Sequence, residues 1–171
     1  MAWVDRQTVK KGDLGESIVD GYLINKGVIP YQPIADRAHP FDRLCASSDK
    51  RTLFVAEVKT KAARKYYPDT GIDQRHYQDY LNIWNKYGLD VWLFFVDEGI
   101  GKIYGNKISQ LIIDRQINHR GRLIKYPLHS SNEKDGRPKV YFPLDAMIFV
   151  CDLTDEAGES LKEMSTRNYD Y

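Results

Sequence analysis

The chain has 171 residues, of which 42% are hydrophobic and 29% are charged, with a formal net charge of +1. This length predicts one domain, residues 1–171, with a substantial core. The near-zero net charge excludes a global field that attracts nucleic acid, so any such binding requires a local basic patch.

Membrane insertion and secretion have no sequence support. No apolar run reaches the roughly 20 residues of a membrane-spanning helix, and no signal peptide opens the chain. Cys45 and Cys151 lie in apolar runs without a metal-binding or redox spacing. We therefore expect a cytoplasmic protein with no membrane partner.

The first part of the chain predicts an arm, a helix and an extended segment. Residues 1–11 are mixed and basic at their end, which indicates an irregular N-terminal arm. Apolar residues then recur at helical spacing between an entry signal at Gly12-Asp13 and a stop at Gly27. The two prolines of residues 28–34 limit that segment to an edge strand or an extended connection.

A β-hairpin is predicted next, because turn residues 47–51 separate an apolar strand, 53–60, from the extended segment before them. If Asp42 faces Glu57 across an antiparallel pair, the register closes with a short loop centred on Asp49-Lys50. Side chains two residues apart on a strand share a face, so Lys59 is expected on the same face of the hairpin as the carboxylates of Asp42 and Glu57.

Charges at the end of an apolar run are costly to desolvate unless they are paired, hydrated or bound to a metal. Two close carboxylates suit Mg²⁺, and a lysine beside the metal could position a water or stabilise charge on phosphorus. The alternative is an ordinary amphipathic hairpin with a Glu–Lys pair on its wet face.

The segment after Lys59 is the strongest local candidate for phosphate binding. Its basic and aromatic side chains could hold a nucleic-acid backbone and cover bases. An exposed basic loop without this role is the alternative. The residues concerned are Lys61, Arg64, Lys65, Tyr66 and Tyr67.

A second helix is predicted after a capping segment at 69–73, and its apolar spacing continues to a stop at Gly88. Its first turn presents Gln74 and Arg75, which could lie over the same cavity as the two carboxylates and Lys59. Residues 90–97 form a near-continuous apolar run, typical of a strand that is covered on both faces. A crossover would place this strand parallel to strand 53–60.

The remaining chain predicts a strand near residue 103, a short helix from Ser109 toward Asn118, and two final extended segments at 140–144 and 147–151. The polar section 119–138 is expected to be a surface loop, with a substrate-shaping loop as the alternative. Residues 154–171 are expected to form a charged tail with a short helix through Leu161.

These motifs resemble those of a known superfamily. Asp42 followed by Glu57-Val58-Lys59 resembles the D…(D/E)-x-K signature of PD-(D/E)XK, or restriction-endonuclease-like, nucleases, although Phe41 separates Pro40 from Asp42. Gly15-Glu16 resembles the Gly-Glu of resolvase-like and exonuclease-like members. The chain is most similar to archaeal Holliday junction resolvase-like and small phage or mobile-element nucleases.

The resemblance implies an α/β fold with a restriction-endonuclease-like mixed β-sheet core flanked by helices. It implies a metal-dependent nuclease that hydrolyses phosphodiester bonds of nucleic acid, expected to be DNA and branched or junction DNA in particular. Junction cutting would suit a homodimer. The alternative is a catalytically inactive nuclease-fold module that binds nucleic acid or a protein partner.

The resemblance also assigns the site residues. Mg²⁺, or Mn²⁺ in its place, would be held by carboxylates and one backbone carbonyl, and the catalytic set would add a lysine and a glutamine. The metal ligands would be Asp42, Glu57, Glu16 and the carbonyl of Val58. Lys59 and Gln74 would complete the catalytic set, and Arg75 would join the basic loop in binding nucleic acid.

Overall fold

A computed structural model describes residues 6–34, 39–131 and 136–165. The architecture is mixed α/β, as predicted. The helices are α1 (Gln7–Asn25), α2 (Gln74–Tyr87), α3 (Ile108–Leu111) and α4 (Asp155–Glu163). The strands are β1 (Ile29–Tyr31), β2 (Arg43–Ala46), β3 (Leu53–Thr60), β4 (Asp69–Asp73), β5 (Asp90–Asp97), β6 (Lys102–Lys107), β7 (Arg115–His119), β8 (Arg122–Tyr126), β9 (Leu128–Ser130), β10 (Lys139–Pro143) and β11 (Ile148–Asp152).

One six-stranded mixed sheet organises the fold, with the strand order β1-β2-β3-β5-β6-β11. Strand β3 pairs antiparallel with β2 and parallel with β5, as the crossover through α2 predicts. Two smaller antiparallel sheets are β4-β10-β9 and the hairpin β7-β8. Among the described residues, no helix combines the length and apolarity that crossing a membrane requires.

Helices cover both faces of the large sheet. Val55 and Leu93 belong to the core cluster that includes residues of α2 and α3. Ala56, Val58 and Phe94 instead pack in a second cluster with residues of α1 and α4. Because alternate residues of a strand point to opposite faces, each side chain of β3 is assigned to one of these two layers.

The register of the β2–β3 hairpin is the predicted one. Leu44 lies opposite Val55 and Ala46 lies opposite Leu53, so extension by one residue beyond Arg43 brings Asp42 opposite Glu57. The connecting turn closes with a hydrogen bond from the amide of Lys50 to the carbonyl of Ser47.

Two expectations about helices were wrong. Helix α1 begins at Gln7 rather than after Gly12, so residues 7–11 are helical and only residues 1–5 of the expected arm lie outside the described part. An ion pair between Lys11 and the buried Glu98, directly after β5, attaches this first part of α1 to the core. Residues 69–73, expected as a helix cap, form β4 because they pair along their length with β10.

The expected surface loop at 119–138 was also wrong in its first half. It contains β8 and β9, and residues 132–135 lie outside the described part. Ile124 and Tyr126 are buried against Tyr141, which gives these strands a small core of their own. Helix α4 confirms the expected short helix near the C-terminus, and residues 166–171 are not described.

Gly15 allows α1 to approach β3 closely. A Cβ at this position would lie 1.9 Å from the hydroxyl oxygen of Thr60 and 3.0 Å from its Cβ. No side chain larger than hydrogen fits here unless Thr60 or the helix shifts, and the helix carries Glu16 next in sequence.

We therefore predict that Gly15→Ala lowers the free energy of unfolding by about 1–3 kcal/mol, the usual range for overpacking. Gly21→Ala in the same helix is the matched control, since a Cβ there meets nothing within 4 Å. The control should be neutral or stabilising by up to about 1 kcal/mol because alanine favours helix. Urea denaturation of both variants measures the difference, and equal stabilities would contradict the close approach.

Candidate active site

The centre of the candidate site is a pair of carboxylates, one directly before β2 and the other within β3. The amide of Asp42 donates a hydrogen bond to Oε2 of Glu57 over 3.2 Å, and the amide of Val58 donates to Oδ2 of Asp42 over 2.7 Å. Glu57 is only 4% exposed. The predicted pairing of these two acids is therefore present, with each side chain bonded to the other strand.

Lys59 supplies the neighbouring positive charge. It lies two residues after Glu57 on β3, and its ammonium group forms an ion pair with Oε1 of Glu57. The side chain of Lys59 is 23% exposed, whereas that of Glu57 is 5% exposed. The lysine thus connects a buried carboxylate to solvent, and its protons are available at the surface.

Asp42 carries a charge that its surroundings do not fully compensate. Burial raises the pKa of Asp42 to about 6, and the adjacent Glu57 carboxylate adds to the increase, while the Val58 amide and Lys59 oppose it. Among the described residues, none donates a hydrogen bond to its second oxygen, Oδ1. A cation placed beside this oxygen would stabilise the ionised form.

Helix α2 forms one wall of a cavity beside Glu57, with a volume of about 430 Å³. The helix contributes a buried tyrosine, a histidine and two charged side chains. Residues 39 and 40 complete the opposite rim. The lining residues are His39, Pro40, Glu57, Arg75, His76, Asp79 and Tyr80.

Tyr80 and His76 are functional candidates that the sequence analysis did not assign. Burial raises the pKa of Tyr80 far above its usual value, and the Glu57 carboxylate raises it further, so the hydroxyl keeps its proton. Burial and the charge of Lys59 lower the pKa of His76, which is therefore neutral at pH 7. The two rings are neighbours, with centroids 6.3 Å apart. Their spacing of four residues puts both on one face of α2, but this spacing does not indicate that the face lies beside Glu57.

Gln74 and Arg75 occupy the start of α2, as expected, but in different surroundings. Arg75 is exposed and lines the cavity, whereas Gln74 is not among the lining residues. The amide of Gln74 donates to the carbonyl of Pro138, which fixes the start of the helix to the segment before β10. A catalytic contact from Gln74 remains a prediction.

Glu16 approaches from the opposite face of the sheet. Arg43 follows Asp42 and lies opposite Ala56, a residue of the α1 layer. Its guanidinium donates to Glu16 over 3.0 Å and to Asp20 over 2.8 Å. Burial raises the pKa of Glu16, and the charge of Asp42 raises it further. Glu16 is thus close enough to sense Asp42, but its carboxylate is bound to Arg43.

The basic loop after β3 divides into internal and external side chains. Lys61 donates to the carbonyl of Gly71 over 2.6 Å, and Arg64 forms two hydrogen bonds to the buried carboxylate of Asp69. Lys65 and Tyr66 are exposed. The exposed part of the loop remains the better candidate for contacts with nucleic acid.

The oxygens of this site fit a hard divalent cation. Asp42 and Glu57 provide carboxylates, and Asp42 retains an oxygen without a donor among the described residues. Mg²⁺ binds through one or two carboxylates and keeps several waters, so it requires no larger set. Across residues 6–34, 39–131 and 136–165, no three histidine, cysteine or acidic side chains are grouped as metal ligands. The position of Glu16 on the other face explains why it does not complete such a group.

Comparison with known proteins finds similarity to solved structures only. No protein-family model and no curated protein sequence matches the chain. A solved structure of Hjc, a Holliday junction resolvase from the archaeal hyperthermophile Archaeoglobus fulgidus, aligns with a TM-score of 0.48 and 9% sequence identity. The alignment covers 79% of this chain and 90% of the resolvase.

The ion pairs of Arg43 with Glu16 and Asp20, which we call the Arg43 clamp, predict a large effect on stability. Arg43→Met leaves Glu16 and Asp20 without their common partner, and both carboxylates are only about a quarter exposed (26% and 25%). We expect the free energy of unfolding to fall by about 2–4 kcal/mol, somewhat less than for a fully buried pair. Lys102→Met removes the exposed ion pair with Asp152 and should cost under about 1 kcal/mol. Chemical denaturation that gives equal losses would contradict the clamp.

The raised pKa of Asp42 predicts a pH-dependent effect of Asp42→Asn. The protonated carboxyl is favoured in the folded state, so this group contributes stability below pH 3.8 that is lost as pH rises to about 6. At pH 8 the variant should be more stable than the wild type by up to about 3 kcal/mol, at 1.36 kcal/mol per pKa unit. At pH 3.5 the two should be equal within about 0.5 kcal/mol. Urea denaturation across this range measures the difference, and a constant difference would contradict the raised pKa.

Proposed function

We propose that this protein is a metal-dependent nuclease that hydrolyses phosphodiester bonds of DNA. The observation that carries the proposal is the incompletely compensated Asp42 carboxylate, which lies against Glu57 with Lys59 beside it. Two carboxylates can hold Mg²⁺, and a lysine beside them can stabilise charge that develops on a phosphate in the adjoining cavity.

Asp42 and Glu57 would hold Mg²⁺ or Mn²⁺, together with the backbone carbonyl of Val58, and Glu16 would act through a water. When bound, the metal lowers the pKa of a coordinated water and offsets charge on the phosphate. Ion binding would also relieve the electrostatic cost at Asp42. Addition of Mg²⁺ should therefore stabilise the folded protein as well as support cleavage.

Lys59 and the α2 wall supply the remaining chemistry. The ammonium of Lys59 is anchored by Glu57 and can donate to the attacking water or to a phosphate oxygen. Tyr80 lines the same cavity as Glu57. Its hydroxyl would act as a positioning group that helps to orient the Glu57 carboxylate. His76 is neutral and can accept a proton at the cavity, while Arg75 can bind a phosphate through its planar guanidinium.

The substrate contacts extend from the site along the loop after β3. Lys65 can pair with phosphates, and Tyr66, which is 65% exposed, presents a ring on which a base can stack. These contacts carry no sequence code, so we expect affinity that depends on salt and little on sequence. We further propose that the preferred substrate is branched or junction DNA and that the protein acts on it as a two-fold dimer.

Cleavage of a labelled panel tests this function. Single strands, duplex, flap, four-way junction and RNA are incubated with Mg²⁺, Mn²⁺ or EDTA. Asp42→Ala and Lys59→Ala should each reduce the rate at least a hundredfold because each removes a charged group that acts at the reacting phosphate. Lys102→Ala is the control, since Lys102 is an exposed lysine paired with Asp152.

The outcomes separate the proposed nuclease from its alternative. Metal-dependent cutting that both site variants abolish and the control retains supports the proposal, and the preferred panel member identifies the substrate. Binding of DNA without cutting in either metal would instead favour a nuclease-fold module that binds nucleic acid. Cutting that survives in Asp42→Ala would place the active site elsewhere.

A further inference from the structure

We propose that the β7–β8 hairpin is an arm that binds the DNA backbone beyond the active site. The inference rests on the proposed function in one respect, that DNA is the ligand. It concerns a part of the chain that the catalytic site does not use. For residues 119–138 the sequence predicted a surface loop, with a substrate-shaping loop as the alternative. Four observations carry it: the charge of the hairpin, its turn, its anchor and its contact with the basic loop.

The hairpin has a strongly one-sided charge. Residues 115–126 contain four basic side chains and no acidic one, although the whole chain has a net charge of only +1. Arg120, Arg122 and Lys125 are exposed. None of these three forms an ion pair within the described part of the chain. Their charge is therefore presented to solvent, where a polyanion can bind it.

The turn of the hairpin has an arginine at a position whose backbone conformation is unfavourable for that residue. Only Arg120 and Gly121 separate the pair His119–Arg122, and their φ angles are +52° and +78°. A two-residue turn with both φ angles positive is the type I′ turn, for which Asn-Gly is strongly preferred. Arginine at the first position is strained, and folding provides no reason for it. A cation at the tip of the arm does provide one.

The base of the hairpin is rigid. Ile124 and Tyr126 are buried with Tyr141 of β10 in a separate small core. The hydroxyl of Tyr126 donates to the buried carboxylate of Asp69 over 2.6 Å. The exposed basic side chains therefore project from a fixed scaffold, which reduces the entropy lost when they bind a ligand.

The hairpin contacts the loop that leaves the active-site strand. A nitrogen of His119 lies 3.1 Å from the carbonyl oxygen of Tyr66, and the His119 ring neighbours that of Tyr67. A groove of about 210 Å³ lies between the two segments. Its lining is Arg64, Tyr67, Arg122, Leu123, Ile124, Lys125 and Leu128. The hairpin and loop thus form one basic surface that begins shortly after Lys59.

A sugar-phosphate backbone is the occupant that fits this surface. Its charge complements the arginines and the lysine, and its sugars can pack against apolar Leu123, which is 58% exposed. Arginine side chains supply the usual direct contacts to phosphate. DNA held here would lie along the loop toward Lys59 and the carboxylates.

Arg120→Asn is a test that separates charge from folding. The change removes one positive charge and supplies the residue that a type I′ turn prefers, so the hairpin should stay folded with an unchanged or higher Tm. Lys50→Asn is the matched control. Lys50 is also an exposed cation in a turn with positive φ, +58°, and the change removes the same charge.

The control lies far from the proposed surface. Lys50 precedes β3, whereas the basic loop follows it, and eight residues of strand separate the two ends. At about 3.3 Å per residue the strand is more than 20 Å long. A general effect of net charge would act on both variants, whereas a contact at the arm acts only on Arg120→Asn.

Binding is measured by fluorescence anisotropy with a short labelled DNA duplex in EDTA, so that no cutting occurs, over a range of salt concentrations. We expect Arg120→Asn to weaken binding by roughly threefold to tenfold and to reduce the slope of log K against log salt by about 0.9, the value for one lost phosphate contact. Lys50→Asn should bind as the wild type does.

Equal binding by all three proteins would overturn the hairpin inference and leave the proposed nuclease intact. An equal loss in both variants would also overturn it, because it would indicate a net-charge effect. Failure of the wild type to bind the duplex or the panel of branched and single-stranded DNA would overturn both proposals together. The melting temperatures, measured in the same buffer, exclude misfolding as the cause of a loss.

Discussion

The candidate site depends on one constraint, the register between β2 and β3. That register is set by apolar residues that must face the core, and it brings the Asp42 and Glu57 carboxylates together at the end of the hairpin. Placing two like charges side by side near a core is unfavourable. The repulsion is offset by Lys59 and by a hydrogen bond from one backbone amide to each carboxylate. The raised pKa of Asp42 indicates that this stabilisation of its charge is incomplete.

Two cations serve the acidic cluster from opposite faces of the sheet. Lys59 pairs with Glu57 on the α2 side, where the cavity opens. Arg43 pairs with Glu16 and Asp20 on the α1 side and is itself 6% exposed. Because alternate strand residues face opposite sides of the sheet, the Lys59–Glu57 pair lies beside the cavity, where it is suited to chemistry. The buried ion pairs of Arg43 lie on the other side and fix α1 to the hairpin.

The sequence predicts the features that local patterns encode, and it misses those that depend on distant partners. Turn chemistry and alternation were enough for the β2–β3 register, and the left-handed Gly88 ends α2 as expected. Residues 69–73 resemble a helix cap, but become a strand because β10 pairs with them. Likewise, the polar residues of β8 indicate a loop. Spacing along the sequence does not reveal that β8 pairs with β7 or packs against Tyr141. Tyr80 follows the apolar spacing of α2, so only the fold reveals its place beside Glu57.

The most direct test of the account is a pH titration of the Asp42 side-chain carboxyl by carbon-13 NMR, with and without Mg²⁺. We predict a pKa of about 6 without metal, and a decrease of at least about one unit at saturating Mg²⁺, since a bound cation favours the ionised form. At a fixed neutral pH, Mg²⁺ should leave the carboxyl carbon shift of Asp152, an exposed acid in a surface ion pair, nearly unchanged. A pKa of Asp42 near 4 that Mg²⁺ leaves unchanged would contradict the claim that this carboxylate is held in place for a metal ion.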